Sequence, residues 1–131
     1  MKKGYEALLA EANAEIEAVS PEQVAALARR DDVQLVDLRD IRELQREGKM
    51  PGAFHAPRGM LEFWIDPESP YHKDIFSSGK TFIFYCASGW RSALATKAAQ
   101  DMGLAPVKHV EGGFSAWKKA RLPVEQVEKK S

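Results

Sequence analysis

The chain has a single cysteine, Cys86, among 131 residues. No intrachain disulfide can form, so the fold does not depend on an oxidising compartment. Charge bias is also missing. Lys plus Arg and Asp plus Glu stand at 19 each, which argues against general affinity for nucleic acid or membrane surfaces and leaves room for a local basic pocket. No long hydrophobic run exists. Met1-Lys2-Lys3 begins like a signal peptide, but Glu11, Glu15 and Glu17 interrupt the segment after it, and nothing approaches the length of a membrane span. His55, His72 and His109 are scattered without metal-ligand spacing, so no metal or cofactor is expected. Repeats, low-complexity tracts and linkers are absent too. What remains is a soluble, cytoplasmic chain, long enough for one domain with a real core.

Residues 4–18 place Tyr5, Leu8, Ala12 and Ile16 at helical spacing. Ser20-Pro21-Glu22-Gln23 then offers a cap, a first-turn proline and a returning glutamine, predicting a second helix to about Arg30. Val33 to Leu38 reads as a buried strand, Asp40 to Gly48 as a short helix, and Ala53 to Ala56 as a short strand. Residues 57–80 carry Pro57, Pro67 and Pro70 and read as irregular, with Leu61 to Ile65 as a packed turn. Thr81 to Tyr85 is the clearest buried strand. Arg91 to Met102 is an alanine-rich helix whose Ala95, Ala98, Ala99 and Met102 form a small-residue face, with Gly103 as its cap. Pro106 to Val110 is a further strand, and Phe114 to Ala120 a last helix after Gly112-Gly113. The tail from Glu125 is charged and predicted to fray. Alternating strands and helices argue for an α/β domain with a largely parallel sheet. Ligands collect at the carboxyl ends of such strands, and Asp37-Leu38-Arg39, Cys86 and Glu111-Gly112-Gly113 all stand there.

Cys86 sits between a strand and a helix, in Cys86-Ala87-Ser88-Gly89-Trp90-Arg91-Ser92. A cysteine ending a core strand can be inert packing. Here, however, the residues after it enter a helix start, where backbone N–H groups lack helical partners. If the loop curls, those donors, the helix dipole and Arg91 all favour thiolate, the nucleophilic form. Gly89 permits the curl, and Ser88 and Ser92 add hydroxyls. Such a loop cradles an anion.

The chain resembles the single-domain rhodanese-like sulfurtransferases. The resemblance runs from about Ser20 to Val124, through Ser20-Pro21-Glu22-Gln23, Leu35 to Arg39, Glu43 to Ala53, Phe84 to Ser92 and Val110 to Trp117. It implies a rhodanese-like domain over 20–124, with a mostly parallel sheet flanked by helices on both faces. Residues 1–19 are then a helical extension and 125–131 a charged tail. Lys49-Met50 stands where the family often has His-Ile, His55 where Asn is frequent, and Arg58 to Asp74 is a longer, more aromatic insertion that could shape access to the pocket.

The resemblance implies a cycle in which Cys86 takes sulfur from a donor such as thiosulfate, becomes a persulfide and passes the sulfur to cyanide, a thiol or a protein acceptor. Ala87, Ser88, Gly89, Trp90, Arg91 and Ser92 would bind substrate, with Arg91 holding the anionic donor. Asp37 would buttress the loop and Arg39 would form internal ion pairs, or the two would merely pair with each other at a strand end; Glu111 would pair with Arg91 or Arg39. Dual-specificity phosphatases of the same fold place five residues between Cys and Arg. Here Ala87, Ser88, Gly89 and Trp90 make four, and the smaller cradle suits one sulfur atom better than phosphate. A non-catalytic carrier, sensor or protein-binding module is the rival of another class. Trp90 could gate the pocket or pack on Phe63 or Trp64, Trp117 and Phe114 read as core, Arg58 as a surface arginine, and His55 as a satisfied histidine rather than a base.

Overall fold

The computed structural model describes residues 1–129. Five strands form one sheet, β1 (Ala18–Val19), β2 (Val33–Asp37), β3 (Phe54–His55), β4 (Thr81–Tyr85) and β5 (Val107–Val110). They lie in the order β1-β5-β4-β2-β3, and every pairing is parallel. The helices are α1 (Tyr5–Glu15), α2 (Pro21–Leu27), α3 (Ile41–Glu47), α4 (Leu61–Ile65), α5 (Trp90–Met102) and α6 (Gly113–Lys119).

Strand periodicity divides the core. Side chains alternate along a strand, so Phe82 and Phe84 of β4 join Val36 on one face, beneath Leu61, Ile65, Phe76, Ala95 and Ala99. Ile83 and Tyr85 face the other way with Leu35, against Val24 of α2 and Phe114 and Trp117 of α6. Helices thus cover both faces, as a parallel sheet requires. Leu61 to Ile65 is a packed turn as expected. Its Trp64 meets Phe54 edge-on at 6.0 Å, so this part of the long segment walls the first core.

Some element boundaries differ from expectation. Residues 4–18 do not form one helix: α1 stops at Glu15, and Ala18–Val19 join the sheet beside β5. A two-residue strand has no period to read. Of the α1 stripe, Ala12 is buried while Tyr5 and Leu8 are exposed, because α1 packs on α5 rather than on the sheet. On α5 the buried face is Ser92, Ala93, Ala95, Thr96 and Ala99, and Met102 is exposed. Helix α2 ends at Leu27, short of Arg30, while Ser20 caps it as expected, accepting from Gln23 N–H at 3.3 Å. Glu125, where fraying was predicted, exchanges two backbone hydrogen bonds with Lys49 at 2.8 and 2.9 Å. The last two residues of that tail, 130 and 131, lie outside the described residues. No helix among the described residues is long and apolar enough to cross a membrane.

Candidate active site

Cys86 follows β4 at the carboxyl edge of the sheet and is 1% exposed. The chain then turns through Gly89 at φ 110°, a left-handed backbone suited to glycine, directly into α5. This turn folds the helix start back over the sulfur. Gly89 N–H donates to Cys86 Sγ at 3.2 Å and Ser92 N–H at 3.4 Å, and the thiol lies 3.6 Å from Ser92 Oγ. The inward curl of donors expected from the sequence is therefore present. No group of His, Cys, Asp and Glu able to hold a metal ion occurs among the described residues.

A second helix start fixes the outer side of the loop. Phe114 N–H donates to the Cys86 carbonyl at 2.8 Å, and Ser115 N–H to the Ala87 carbonyl at 2.9 Å. In a trans peptide the N–H points opposite its carbonyl. Holding these two carbonyls against α6 therefore turns the N–H groups of Ala87 and Ser88 away from α6. Neither N–H, nor those of Trp90 and Arg91, meets an acceptor among the described residues. The loop presents unspent donors. Close approach is possible because residue 113 is glycine: a Cβ there would lie 2.5 Å from the Cys86 carbonyl oxygen and 2.8 Å from that of Ala87.

Behind α6 lies a fully buried ion pair. Arg39 donates to Asp37 from Nε at 3.0 Å and from a terminal nitrogen at 2.8 Å, and to the Gly48 carbonyl at 2.7 Å. Its guanidinium lies over the Phe114 ring, 4.3 Å from the centroid. With every strong acceptor answered, the buried charges are compensated. Tyr85, beside them, accepts from Met50 N–H at 3.1 Å; burial, with Asp37 nearby, pushes its hydroxyl far above the ordinary tyrosine value, so it stays protonated. Asp37 and Arg39 pair with each other, as the sequence suggested. His55 is satisfied through Nε2, 2.7 Å from the Arg39 carbonyl.

Other expectations require correction. Glu111 is exposed and pairs with neither Arg39 nor Arg91. The partner of Arg91 is Glu43, in a two-pronged contact at 2.8 and 3.1 Å. That bond comes first in raising Arg91 above its ordinary value and in holding the Glu43 carboxyl below its own. Arg91 is thus braced by α3 rather than standing free. Trp90 packs on neither Phe63 nor Trp64; its ring stands 5.1 Å from Tyr5 of α1, and it remains 58% exposed. Arg58 pairs with Glu62 at 2.8 Å.

Two participants escape sequence reasoning. Glu43 carries a readable signal as the fourth residue of Asp40-Ile41-Arg42-Glu43, a pattern that closes the N-terminus of α3 with two reciprocal hydrogen bonds, but its partner is distant in sequence. His109 gives no signal at all. On β5 its Nδ1 lies 2.9 Å from Ser92 Oγ, and burial of the ring holds it below the ordinary histidine value, with Glu111 pulling the other way.

An uncharacterised Synechocystis protein is 32% identical over 80% of the chain, which spans 54% of that relative's length. The thiosulfate sulfurtransferase GlpE of Glaesserella parasuis is 27% identical, over 82% of this chain and 91% of its own. A solved Rhodopseudomonas palustris protein of unknown function, described as a possible tyrosine phosphatase, is 56% identical with a TM-score of 0.93, over 95% of this chain and 96% of its own. The rhodanese-like domain model matches residues 20–120, and the chain belongs to the rhodanese-like domain family.

Proposed function

We propose that this protein is a cytoplasmic sulfurtransferase working through a Cys86 persulfide, on a domain spanning 20–124 with an N-terminal extension and a short charged tail. The observation that carries the reading is the Cys86 cradle itself: two N–H donors on the sulfur and four more in the same turn without acceptors among the described residues. Cys86 thiolate attacks the outer sulfur of thiosulfate. A bond forms between Sγ and that sulfur, the S–S bond of thiosulfate breaks, and its electron pair leaves with sulfite. The terminal sulfur of the persulfide is anionic and grows into the turn, where the N–H groups of Ala87, Ser88, Trp90 and Arg91 are unspent, and preorganised donors of this kind stabilise developing charge. Cyanide or a thiolate, free or on a protein, then attacks the terminal sulfur, and the electron pair of the breaking bond returns to Cys86.

Arg91 keeps the N–H groups that Glu43 does not engage and supplies positive charge at the rim for the anionic donor. Asp37, Arg39 and Phe114 form the floor that keeps the loop in shape. Glu111, unpaired with any loop arginine, has no part in that support.

The test is thiocyanate formation from thiosulfate and cyanide. Wild type turns over, and Cys86→Ser does not. Mass spectrometry after thiosulfate treatment shows a thiol-reversible gain of about 32 Da on Cys86. A folded protein without turnover would leave a carrier or binding module as the better account. The description of the Rhodopseudomonas palustris relative supplies a second arm: hydrolysis of an aryl phosphate would favour a phosphatase, against which the four-residue spacing from Cys86 to Arg91 argues.

A further inference from the structure

His109 is buried, titratable and idle in the sulfur-transfer cycle, yet it is two hydrogen bonds from the nucleophile. Ser92 Oγ stands between them, 2.9 Å from His109 Nδ1 and 3.6 Å from Cys86 Sγ. The Ser92 hydroxyl has one hydrogen. Its third neighbour, the Gly89 carbonyl at 3.3 Å, is the longer of the two oxygen and nitrogen contacts. The chain of bonds can therefore run in either of two directions. With Cys86 as thiol, S–H donates to Ser92 Oγ and Ser92 O–H donates to Nδ1. With Cys86 as thiolate, a proton on Nδ1 donates to Oγ and the Ser92 hydroxyl turns to Sγ, beside the Gly89 and Ser92 N–H donors.

The far nitrogen has an outlet. Among the described residues His109 Nε2 has no hydrogen-bond partner, and it is not one of the buried side-chain atoms left unpartnered there, a group that holds His72 Nδ1 alone. It is therefore reached by solvent. The ring lines a cleft of about 250 Å³ between α1 and the Cys86 loop, with Asn13, Trp90 and Glu111.

We propose that His109 is a positioning residue for the nucleophile, setting the ionisation of Cys86 through the Ser92 hydroxyl. The inference rests on the Cys86-centred reading and adds a group that never meets substrate. The proton balance is closed. Cys86 S–H passes its proton to Ser92 Oγ, Ser92 passes its own to His109 Nδ1, and Nε2 releases one to water in the cleft. The net change is a thiolate and a shift of the neutral imidazole from its Nε2–H to its Nδ1–H tautomer. A neutral ring is the form that can accept, and burial favours that form.

Few charged groups bear on the ring. Cys86 faces it through Ser92, α1 and β1 contribute neutral Asn13 and Ala18, and its own strand end contributes Glu111. Lys108 is engaged by Glu17 at 3.1 Å.

The experiment uses the full chain and no sulfur donor, so it can fail or succeed independently of thiosulfate turnover. Iodoacetamide alkylation of Cys86 is monitored against pH. His109→Phe keeps the bulk of the ring and removes the hydrogen bond. It raises the alkylation midpoint by about one pH unit and slows alkylation roughly tenfold below that midpoint. Ser92→Ala gives a comparable shift, and combining the two gives no more than the larger alone, since both break one chain. His109→Asn, which restores a hydrogen-bonding atom near the Nδ1 position, recovers most of the shift. Equal midpoints in wild type and His109→Phe, or fully additive shifts, overturn the proposal. Nitrogen NMR of the imidazole in unsubstituted protein tests the same idea should His109→Phe not fold. The tautomer changes across the Cys86 midpoint in free protein and stays constant once Cys86 is alkylated; a tautomer indifferent to Cys86 overturns it.

Discussion

Helices α5 and α6 begin alike and do opposite things to one loop. Each starts behind a glycine in left-handed backbone, Gly89 at φ 110° and Gly112 at φ 74°, and neither has a side-chain cap. Both therefore leave first-turn N–H groups to be satisfied from elsewhere. At α5 two donors of that turn go to a sulfur, through Gly89 and Ser92. At α6 the donors go to the Cys86 and Ala87 carbonyls. One helix start makes the cradle and the other holds its wall. The lesson is that a free N-terminal turn is a general resource, and its use depends on what the fold brings to it.

The largest loss is expected at α6. Gly113→Ala places a Cβ 2.5 Å from the Cys86 carbonyl oxygen, on a backbone at φ 61°. Overpacking and backbone strain together should cost roughly 3 kcal/mol or more, read as a lower midpoint in guanidinium denaturation, with persulfide formation lost alongside. A variant as stable as wild type would show that the wall moves freely.

At α5 the expected loss is smaller and more local. Gly89→Ala meets only Gly112 N, at 3.9 Å, but takes a backbone at φ 110°. We expect about 1–2 kcal/mol of destabilisation and a persulfide-formation rate lower by roughly tenfold, the worth of one hydrogen bond to a charged group, because the Gly89 N–H shifts off the sulfur. Stability and rate falling together in equal measure at both glycines would erase the distinction between cradle and wall.

The smallest effect lies at the rim. Glu43→Gln removes the partner of Arg91, a pair whose side chains are 19% and 41% exposed, so the cost should stay below about 1 kcal/mol. The folded Glu43 carboxyl lies below its ordinary value of 4.5, first because of Arg91. Its contribution is therefore full above that ordinary value and is lost as pH falls through the depressed one. Thermal melts of wild type and variant should differ at neutral pH and converge in acid. A constant difference would mean that the pair contributes nothing through charge.

Much of this fold and site is legible in the chain. The apolar alternation of Thr81 to Tyr85, the alanines of α5 and the cap at Ser20 each act within a few residues, so pattern and propensity reveal them. The placement of Cys86 at a strand end and the donors that curl onto it come from the same local reading. The errors fall where partners are distant. Nearness to the same sheet edge suggests a loop arginine for Glu111, but Glu43 reaches Arg91 first, from α3. Aromatic content in the 58–74 segment suggests neighbours there for Trp90, but α1 folds back along α5 and brings Tyr5 to it.

An α/β domain, one nucleophile candidate and a four-residue turn to an arginine can be read from the chain alone, because these depend on spacing along it. That Glu43 braces Arg91, that α6 holds the Cys86 and Ala87 carbonyls, and that Ser92 links Cys86 to His109 follow from the packed fold instead. Parallel strands join residues far apart in the chain through crossover connections. Hydrogen bonds across such a sheet edge are set by register and packing angle, and neither is written in local periodicity.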